Sequence, residues 1–181
     1  MLKEAKDYKV EINEQYSKVK NDERFMYFFV HSYREDKFPL RTGMKIAESL
    51  WEGIEYVSVN SEGSVIGFLS ADLESDYGIV SGLRILNFKD KCNMTFSRDL
   101  YAFLNLLFTL DIRKIQFSCI SENIIDKMYM KYIKKYNGRC VGIYKDSIRL
   151  SDFKYHSYKL YEIFKVDYLK AIEDNKEKHK K

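Results

Sequence analysis

The first hydrophobic pattern along the chain is a strict alternation near its beginning. In "YKVEIN", Tyr8, Val10 and Ile12 alternate with polar residues, which is the period of a half-buried strand. Residues 14 to about 30 are rich in helix formers, and "GMKIAESLWEGI" places apolar residues on one stripe of a further helix. The chain is therefore expected to begin with a strand followed by two helices.

The next patterns predict three strands in succession. The runs "YVSVN" and "SVIGFLSADLES" flank the short turn sequence "SEG". Because glycine supplies the backbone angles that tight turns need, this arrangement predicts an antiparallel hairpin. "GIVSGLRILNF" adds one more strand, and the polar segment "KDKCNMTFSRD" after it predicts a loop.

Two amphipathic helices are predicted in the second half, because apolar residues recur there at helical spacing. The stripes are Leu100, Phe103, Leu104, Leu107 and Phe108, and then Ile125, Met128, Tyr129, Tyr132, Ile133 and Tyr136. Ser97 is the predicted N-cap of the first helix. Asn137-Gly138 is predicted to end the second, with the glycine in the left-handed conformation.

The remaining segments complete the order of elements. "RKIQFSCI" predicts a strand between the two helices, and "GIYKDSIRLSDFKYHSYKLYEIF" predicts a closing hairpin with a polar turn. The sequence thus predicts a single α/β domain over residues 1–170, in which four helices flank a mixed sheet of seven strands. Residues 171–181 are polar and basic, and we expect them to form a disordered tail.

Composition narrows the classes of protein that fit. The 181 residues are 45% hydrophobic and 32% charged, and no apolar run approaches the ~20 residues of a membrane span. The N-terminal segment resembles no targeting signal, so a cytoplasmic location is expected. Three cysteines and three histidines lie far apart, which argues against disulfides and a metal site. The net charge of +4 is spread along the chain, and nucleic-acid binding is not indicated.

The order of elements resembles the GNAT superfamily of acyl-CoA N-acyltransferases. Asn123, at the start of "SENIIDKMYMKYIKKYNG", is similar to the family's asparagine at the start of the helix after the fifth strand. The closing hairpin is similar to that of the subgroup that acetylates ribosomal-protein N-termini and related amines. The residues that carry this second likeness are Gly142, Asp146, Tyr155, Tyr161 and Ile163. The resemblance implies a mixed, mostly antiparallel sheet.

The resemblance also implies a site for acetyl-CoA. A backbone amide near Leu86 to Phe88 would polarise the thioester, and Asn123 would face the cofactor unless it only caps its helix. The helix start with Thr95, Ser97 and Arg98 would hold the diphosphate. The segment from Lys89 to Asp99 contains no glycine, unlike the family's glycine-rich turn. Lys89, Lys91 and Arg98 would offset that loss by their charge.

Several residues are candidates for the proton transfers that the resemblance implies. Tyr129 would protonate the leaving thiolate, with Tyr132 as its rival, although Tyr129 also fits a core position. Asp72 or Glu74 would act as the base for the amine, unless they are solvated turn carboxylates. His31 lies where acceptor selectivity is set in this family and is the weaker candidate.

The resemblance thus implies an enzyme that transfers an acetyl group from acetyl-CoA to the amine of a small molecule or protein, directly and within a ternary complex. A homodimer is compatible with it. The alternative is a GNAT-fold protein that has lost the cofactor and binds a protein partner, in which Met94 and Phe96 would fill the groove beside the fourth strand. Interleaved Tyr and Lys residues from Lys127 to Tyr168 leave binding of single-stranded nucleic acid as a third alternative.

Overall fold

A computed structural model describes residues 1–19, 53–89, 93–150 and 152–178. The strands in this part are β1 Leu2–Glu4, β2 Ile54–Val59, β3 Val65–Glu74, β4 Ile79–Asn87, β5 Lys114–Ile120, β6 Arg139–Arg149 and β7 Tyr155–Phe164. The α-helices in this part are α1 Lys9–Val19, α2 Met94–Leu107, α3 Ile125–Lys135 and α4 Lys165–Lys178. Among these described residues, no helix is long and apolar enough to cross a membrane.

The strands form one sheet in the order β1-β2-β3-β4-β5-β7-β6. Its neighbouring strands are antiparallel except for β4 and β5, which run parallel. The prediction of a seven-stranded, mostly antiparallel mixed sheet with four helices is therefore confirmed within the described residues.

The core consists of two layers, one on each face of the sheet. Helices α2, α3 and α4 cover one face. The predicted stripes of α2 and α3 lie against it and are buried, except for the partly buried Ile125 and Met128. Helix α1 covers part of the other face with Ile12, Tyr16 and Val19. Among the described residues, three helices therefore shield one face of the sheet, and α1 covers the other face over β2, β3 and β4.

The prediction of a strand over "YKVEIN" is wrong. The strand at this end is Leu2–Glu4, and Lys9–Val19 forms helix α1 after a short 3-10 turn. The alternation covers only six residues, whereas Ile12, Tyr16 and Val19 lie on one helical face and are buried. Val10 is 69% exposed, which a strand with Val10 on its buried face does not allow.

The predicted second helix falls mostly outside the described residues. Its segment 43–52 and the predicted helical residues 20–30 are not described, nor is His31. Ile54, which was expected to continue that helix, instead begins β2.

The start of helix α2 also differs from the prediction. Asn93, not Ser97, is the N-cap, and its side-chain oxygen accepts hydrogen bonds from the amides of Thr95 and Phe96. The amide of Ser97 donates to the carbonyl of Asn93 at 2.9 Å. Helix α2 therefore begins inside the segment that was predicted to be a loop.

At the end of helix α3, Asn137 takes the left-handed conformation that was predicted for Gly138. Its φ is 55°, which asparagine tolerates better than most residues. Gly138 is required for space, since a Cβ there would lie 2.5 Å from Ile163 Cγ1 and 2.8 Å from the Glu162 carbonyl oxygen.

The polar end of the chain continues as helix α4 as far as Lys178, where a disordered tail from residue 171 was expected. Tyr168 stacks on Phe108 of the segment after α2, with ring centroids 4.0 Å apart. Ala171 is buried as well. These contacts with the core stabilise a helix whose sequence alone looks like a solvated tail.

Candidate functional site

The parallel strands β4 and β5 separate soon after they begin. They pair only at Ile79 with Lys114 and at Val80 with Ile115, although β4 continues to Asn87 and β5 to Ile120. Both strands are fully described. A gap therefore opens between them toward their carboxyl ends.

A bulge in β4 accounts for the separation. Ser81 pairs with Asp72 and Arg84 pairs with Ser70, so Gly82 and Leu83 together face one residue of β3. Gly82 has φ of 58°, and a Cβ there would lie 2.1 Å from Asp72 Oδ2. A bulge of this kind bends its strand, and this bulge begins two residues after Val80, the last residue that pairs with β5.

Two helices begin at the mouth of the gap. Helix α2 follows β4 and helix α3 follows β5, so both helix N-termini lie near the carboxyl ends of the two parallel strands. This is where open α/β sheets bind their ligands, and the partial positive charge of a helix N-terminus favours anions.

The N-terminus of α2 is occupied by its own cap. Asn93 Oδ1 lies 2.8 Å from the amide nitrogen of Thr95 and 3.3 Å from that of Phe96. An anion that uses these amides must displace the carboxamide of Asn93. The predicted residues Ser97 and Arg98 follow in the first turns, and the Arg98 side chain is 71% exposed.

Neither apolar residue at the start of α2 covers the gap between β4 and β5. Met94 is 88% exposed. The Phe96 ring lies over Gly67 of β3, where an added Cβ would be 2.2 Å from the ring. Phe96 thus belongs to the core above β3.

The side of β4 that faces the gap can be read from its hydrogen bonds. The amide of Phe88 donates to the Ile66 carbonyl of β3 at 3.0 Å. Because amides alternate in direction along a strand, those of Leu86 and Phe88 face β3, and those of Ile85 and Asn87 face the gap. Within the predicted range Leu86 to Phe88, only the amide of Asn87 therefore faces the gap. The amide of Ile85, just before that range, faces it as well.

At the start of α3, Asn123 makes the capping contact that was one of its two interpretations. Its Oδ1 accepts a hydrogen bond from the Ile125 amide at 3.0 Å. Nearby, the hydroxyl of Ser121 is buried and has no hydrogen-bond partner among the described residues. Buried hydroxyls are nearly always paired, so Ser121 fits a place where a ligand or water completes the site.

A charged cluster fixes the first turn of α3 on the sheet. Asp126 accepts hydrogen bonds from Lys159 Nζ at 2.7 Å and from the Tyr161 hydroxyl, and Cys119 Sγ lies 3.5 Å away. Burial opposes ionisation of Asp126, but these hydrogen bonds outweigh it and lower its pKa. Burial, with the nearby Asp126 carboxylate, raises the pKa of Cys119 to about 12. Cys119 is therefore a protonated thiol and not a nucleophile.

The two candidate tyrosines of α3 have different surroundings. Tyr129 is 2% exposed and packs edge-on against Phe117 of β5, with ring centroids 4.6 Å apart. Burial raises its pKa, so it is a neutral phenol that gives up its proton less readily than an exposed tyrosine. Tyr132 instead donates its hydroxyl to Asn105 Oδ1 of α2 at 3.3 Å, which gives it a structural partner between the helices.

The predicted carboxylate bases are both engaged. Asp72 receives two hydrogen bonds from the Arg84 guanidinium, at 2.9 and 2.8 Å. Glu74 accepts a hydrogen bond from the Ser81 hydroxyl. Both oxygens of Asp72 are already hydrogen-bonded to Arg84, which weakens the case for Asp72 most.

A histidine that the sequence did not single out lies between two carboxylates. His156 Nε2 is 3.0 Å from Asp152 Oδ2, and Nδ1 is 3.5 Å from Glu122 Oε2. The three residues come from β7, the β6–β7 turn and the β5–α3 loop. Asp152 and His156 are only four residues apart, but Glu122 reaches them through the pairing of β7 with β5, so no local motif signals the group of three.

Comparison with known proteins gives a likeness in structure alone. No family model matches the sequence, and no curated protein matches it. The structure is similar to a probable acetyltransferase of the GNAT family from Chromobacterium violaceum, with a TM-score of 0.62 and 12% identity, over 93% of this chain and 87% of that one.

Two further solved structures agree. A GCN5-related N-acetyltransferase from Brucella melitensis gives a TM-score of 0.63 at 13% identity, over 94% of this chain and 77% of that one. A chimera of the Vibrio cholerae spermidine N-acetyltransferase SpeG with hSSAT gives a TM-score of 0.55 at 16% identity, over 87% of this chain and 79% of that one. The fold is therefore GNAT-like.

Proposed function

We propose that the protein is an N-acetyltransferase that moves the acetyl group of acetyl-CoA directly to an amine. The observation that carries this proposal is the gap between β4 and β5, which pair at two positions and then diverge. A gap of this kind gives a thioester a place to lie beside backbone amides. The GNAT-like fold supports the proposal, since solved structures that share it are named as acetyltransferases.

The residues around the gap suit the parts of acetyl-CoA. The N-terminus of α2, with Thr95, Ser97 and Arg98, would hold the diphosphate through amides and charge. Ser121 and Asn123 would meet the pantetheine arm at the start of α3. The thioester supplies an activated acyl group. An amine can therefore attack it directly, and no protein nucleophile has to carry the acetyl group in between.

The proposed reaction needs two contributions from this chain at the reacting atoms. The amides of Ile85 and Asn87 stabilise the negative charge that forms on the carbonyl oxygen during attack. As the C–N bond forms and the C–S bond breaks, Tyr129 gives its proton to the departing sulfur. Its neutral state fits that role, and Tyr129 recovers a proton from solvent or from the acetylated amine.

The acceptor is proposed to be a primary amine on a small molecule or on a protein. Spermidine acetyltransferases are among the proteins with a similar fold, and the closing hairpin resembles the subgroup that acetylates protein N-termini. A cytoplasmic location and a homodimer remain predictions.

Ligand-dependent melting together with thiol release tests the proposal. Acetyl-CoA and CoA should both raise the melting temperature, because a ligand that binds only the folded state stabilises it. Thiol should be released from acetyl-CoA when spermidine or a peptide with a free N-terminus is added. Tyr129→Phe should lower the rate about 100-fold and leave CoA binding unchanged.

One observation favours the alternative of a protein-binding module without cofactor. The cap of Asn93 already satisfies two amides that a diphosphate would use, and the preceding segment has no glycine. If millimolar CoA leaves the melting temperature unchanged, the enzymatic proposal is wrong and this alternative takes its place.

A further inference from the structure

The group formed by His156, Glu122 and Asp152 is not used by the chemistry described so far. The His156 side chain is 12% exposed, whereas that of Glu122 is 52% exposed and that of Asp152 is 26% exposed. Asp152 is held from its other side by the backbone amide of Lys154, at 3.0 Å. The imidazole is therefore fixed by a rigid carboxylate at one nitrogen and faces a solvent-accessible carboxylate at the other.

The position of the group relative to the gap follows from the strand register. Tyr161 and Lys159 of β7 point to the face that α3 covers, since both contact Asp126. Side chains alternate along a strand, so His156 points to the opposite face. Its partner Glu122 lies two residues after the end of β5, the strand that borders the gap.

His156 consequently lies beside the carboxyl end of β5, one strand away from the gap and on the face away from α2 and α3. Strand β7 is the immediate neighbour of β5, which places it ~4.8 Å from the strand at the edge of the gap. If the cofactor lies under the starts of α2 and α3, an amine must approach the thioester from this other face.

We propose that His156 is the general base that deprotonates the acceptor amine, an inference that rests on the proposed acetyltransferase function. Glu122 attracts the protonated amine, and Nδ1 of the neutral imidazole accepts one proton from its nitrogen. The freed lone pair then forms the C–N bond, and the thiolate leaves with the proton of Tyr129. Asp152 is a positioning residue, because it accepts a hydrogen bond from Nε2–H and its negative charge stabilises the imidazolium.

The charges around the imidazole suit both steps. Glu122 faces it from the β5–α3 loop, and Asp152 faces it from the β6–β7 turn. The two carboxylates favour binding of a cationic amine between Nδ1 and Glu122. The alternative role of His156 is purely structural, as a contact that ties the β6–β7 turn to the β5–α3 loop.

Two acceptor amines distinguish a catalytic role of His156 from a purely structural one. Spermidine is protonated at neutral pH and needs a base, whereas hydroxylamine is already neutral and does not. His156→Gln should lower kcat/KM about 100-fold with spermidine and less than about threefold with hydroxylamine. Asp152→Asn should shift the pH profile with spermidine, and Glu122→Gln should raise its KM with little change in kcat.

The outcomes separate this inference from the proposed function. Equal loss with both acceptors, or an unchanged rate with spermidine, overturns the role of His156 while the wild-type activity still supports the transferase. A wild-type protein that binds no CoA and releases no thiol overturns both. CoA-induced melting shifts of each variant, matched to wild type, show that the variants are folded.

Discussion

At the scale of single residues, the most demanding feature of the fold is a buried carboxylate that joins three strands. Glu162 of β7 is 4% exposed. It accepts hydrogen bonds from Lys114 of β5 at 2.8 Å and from Arg139 of β6 at 2.8 and 2.6 Å. Removing one partner of a buried ion pair leaves the other charges uncompensated, so this site should be sensitive to substitution.

Glu162→Gln should lower the free energy of unfolding by about 2–3 kcal/mol at neutral pH. The expected cost lies below that of a fully buried pair because the Arg139 side chain is 69% exposed and can be rehydrated. Chemical denaturation measures it. Glu62→Gln, in the exposed β2–β3 turn, is the matched control and should change stability by less than about 0.5 kcal/mol.

The pH dependence of this effect has a definite sign. Burial opposes ionisation of Glu162, but the hydrogen bonds from Lys114 and Arg139 outweigh it and lower its pKa. Its contribution is therefore complete above the unfolded value of about 4.3 and is lost as the pH falls through the lower folded value. The stability difference between wild type and Glu162→Gln should shrink in acid, and a constant difference would contradict this account.

At the scale of elements, the sequence predicted long periodic segments well and the transitions between elements poorly. The stripes of α2 and α3 extend over several turns, so tertiary packing agreed with the pattern. "YKVEIN" was too short to distinguish a strand from the first turn of α1. The caps at Asn93 and Asn137 depended on local geometry that several neighbouring polar residues could have supplied equally well.

The bulge at Gly82 is the element on which the gap depends. Gly82→Ala places a side chain in a left-handed conformation and against Asp72, so it should cost at least ~2 kcal/mol and weaken CoA binding at least tenfold. Gly63→Ala is the control, since φ there is also positive but nothing lies within 4 Å. It should cost about 1 kcal/mol and leave CoA binding unchanged. Equal CoA affinity in the two variants would show that the bulge does not shape the site.

The cap of helix α2 provides a second test at this scale. Asn93→Asp keeps a good N-cap and adds a negative charge, so stability should rise by a few tenths of a kcal/mol while CoA binding weakens about tenfold. Asn93→Gly should cost only a few tenths of a kcal/mol and bind CoA at least as tightly as wild type. Isothermal titration measures both. If Asn93→Asp binds CoA like wild type, the diphosphate does not lie at this helix start.

At the scale of the whole molecule, the proposed site is assembled from segments that lie far apart in the sequence. The gap needs β4 and β5, the anion site needs α2, and the proposed base comes from β7 and two loops. The order of elements was enough to predict the fold. It could not predict that β7 would carry His156 to Glu122, because that contact depends on strand register.

The most direct test is a crystal structure of the protein with CoA. We expect the pantetheine arm to lie between β4 and β5 beyond Val80, with the diphosphate within ~3 Å of the first amides of α2. The sulfur should lie on the Tyr129 side of the gap. CoA bound elsewhere, or a gap closed by pairing of Ile85 and Asn87 with β5, would contradict the central claim.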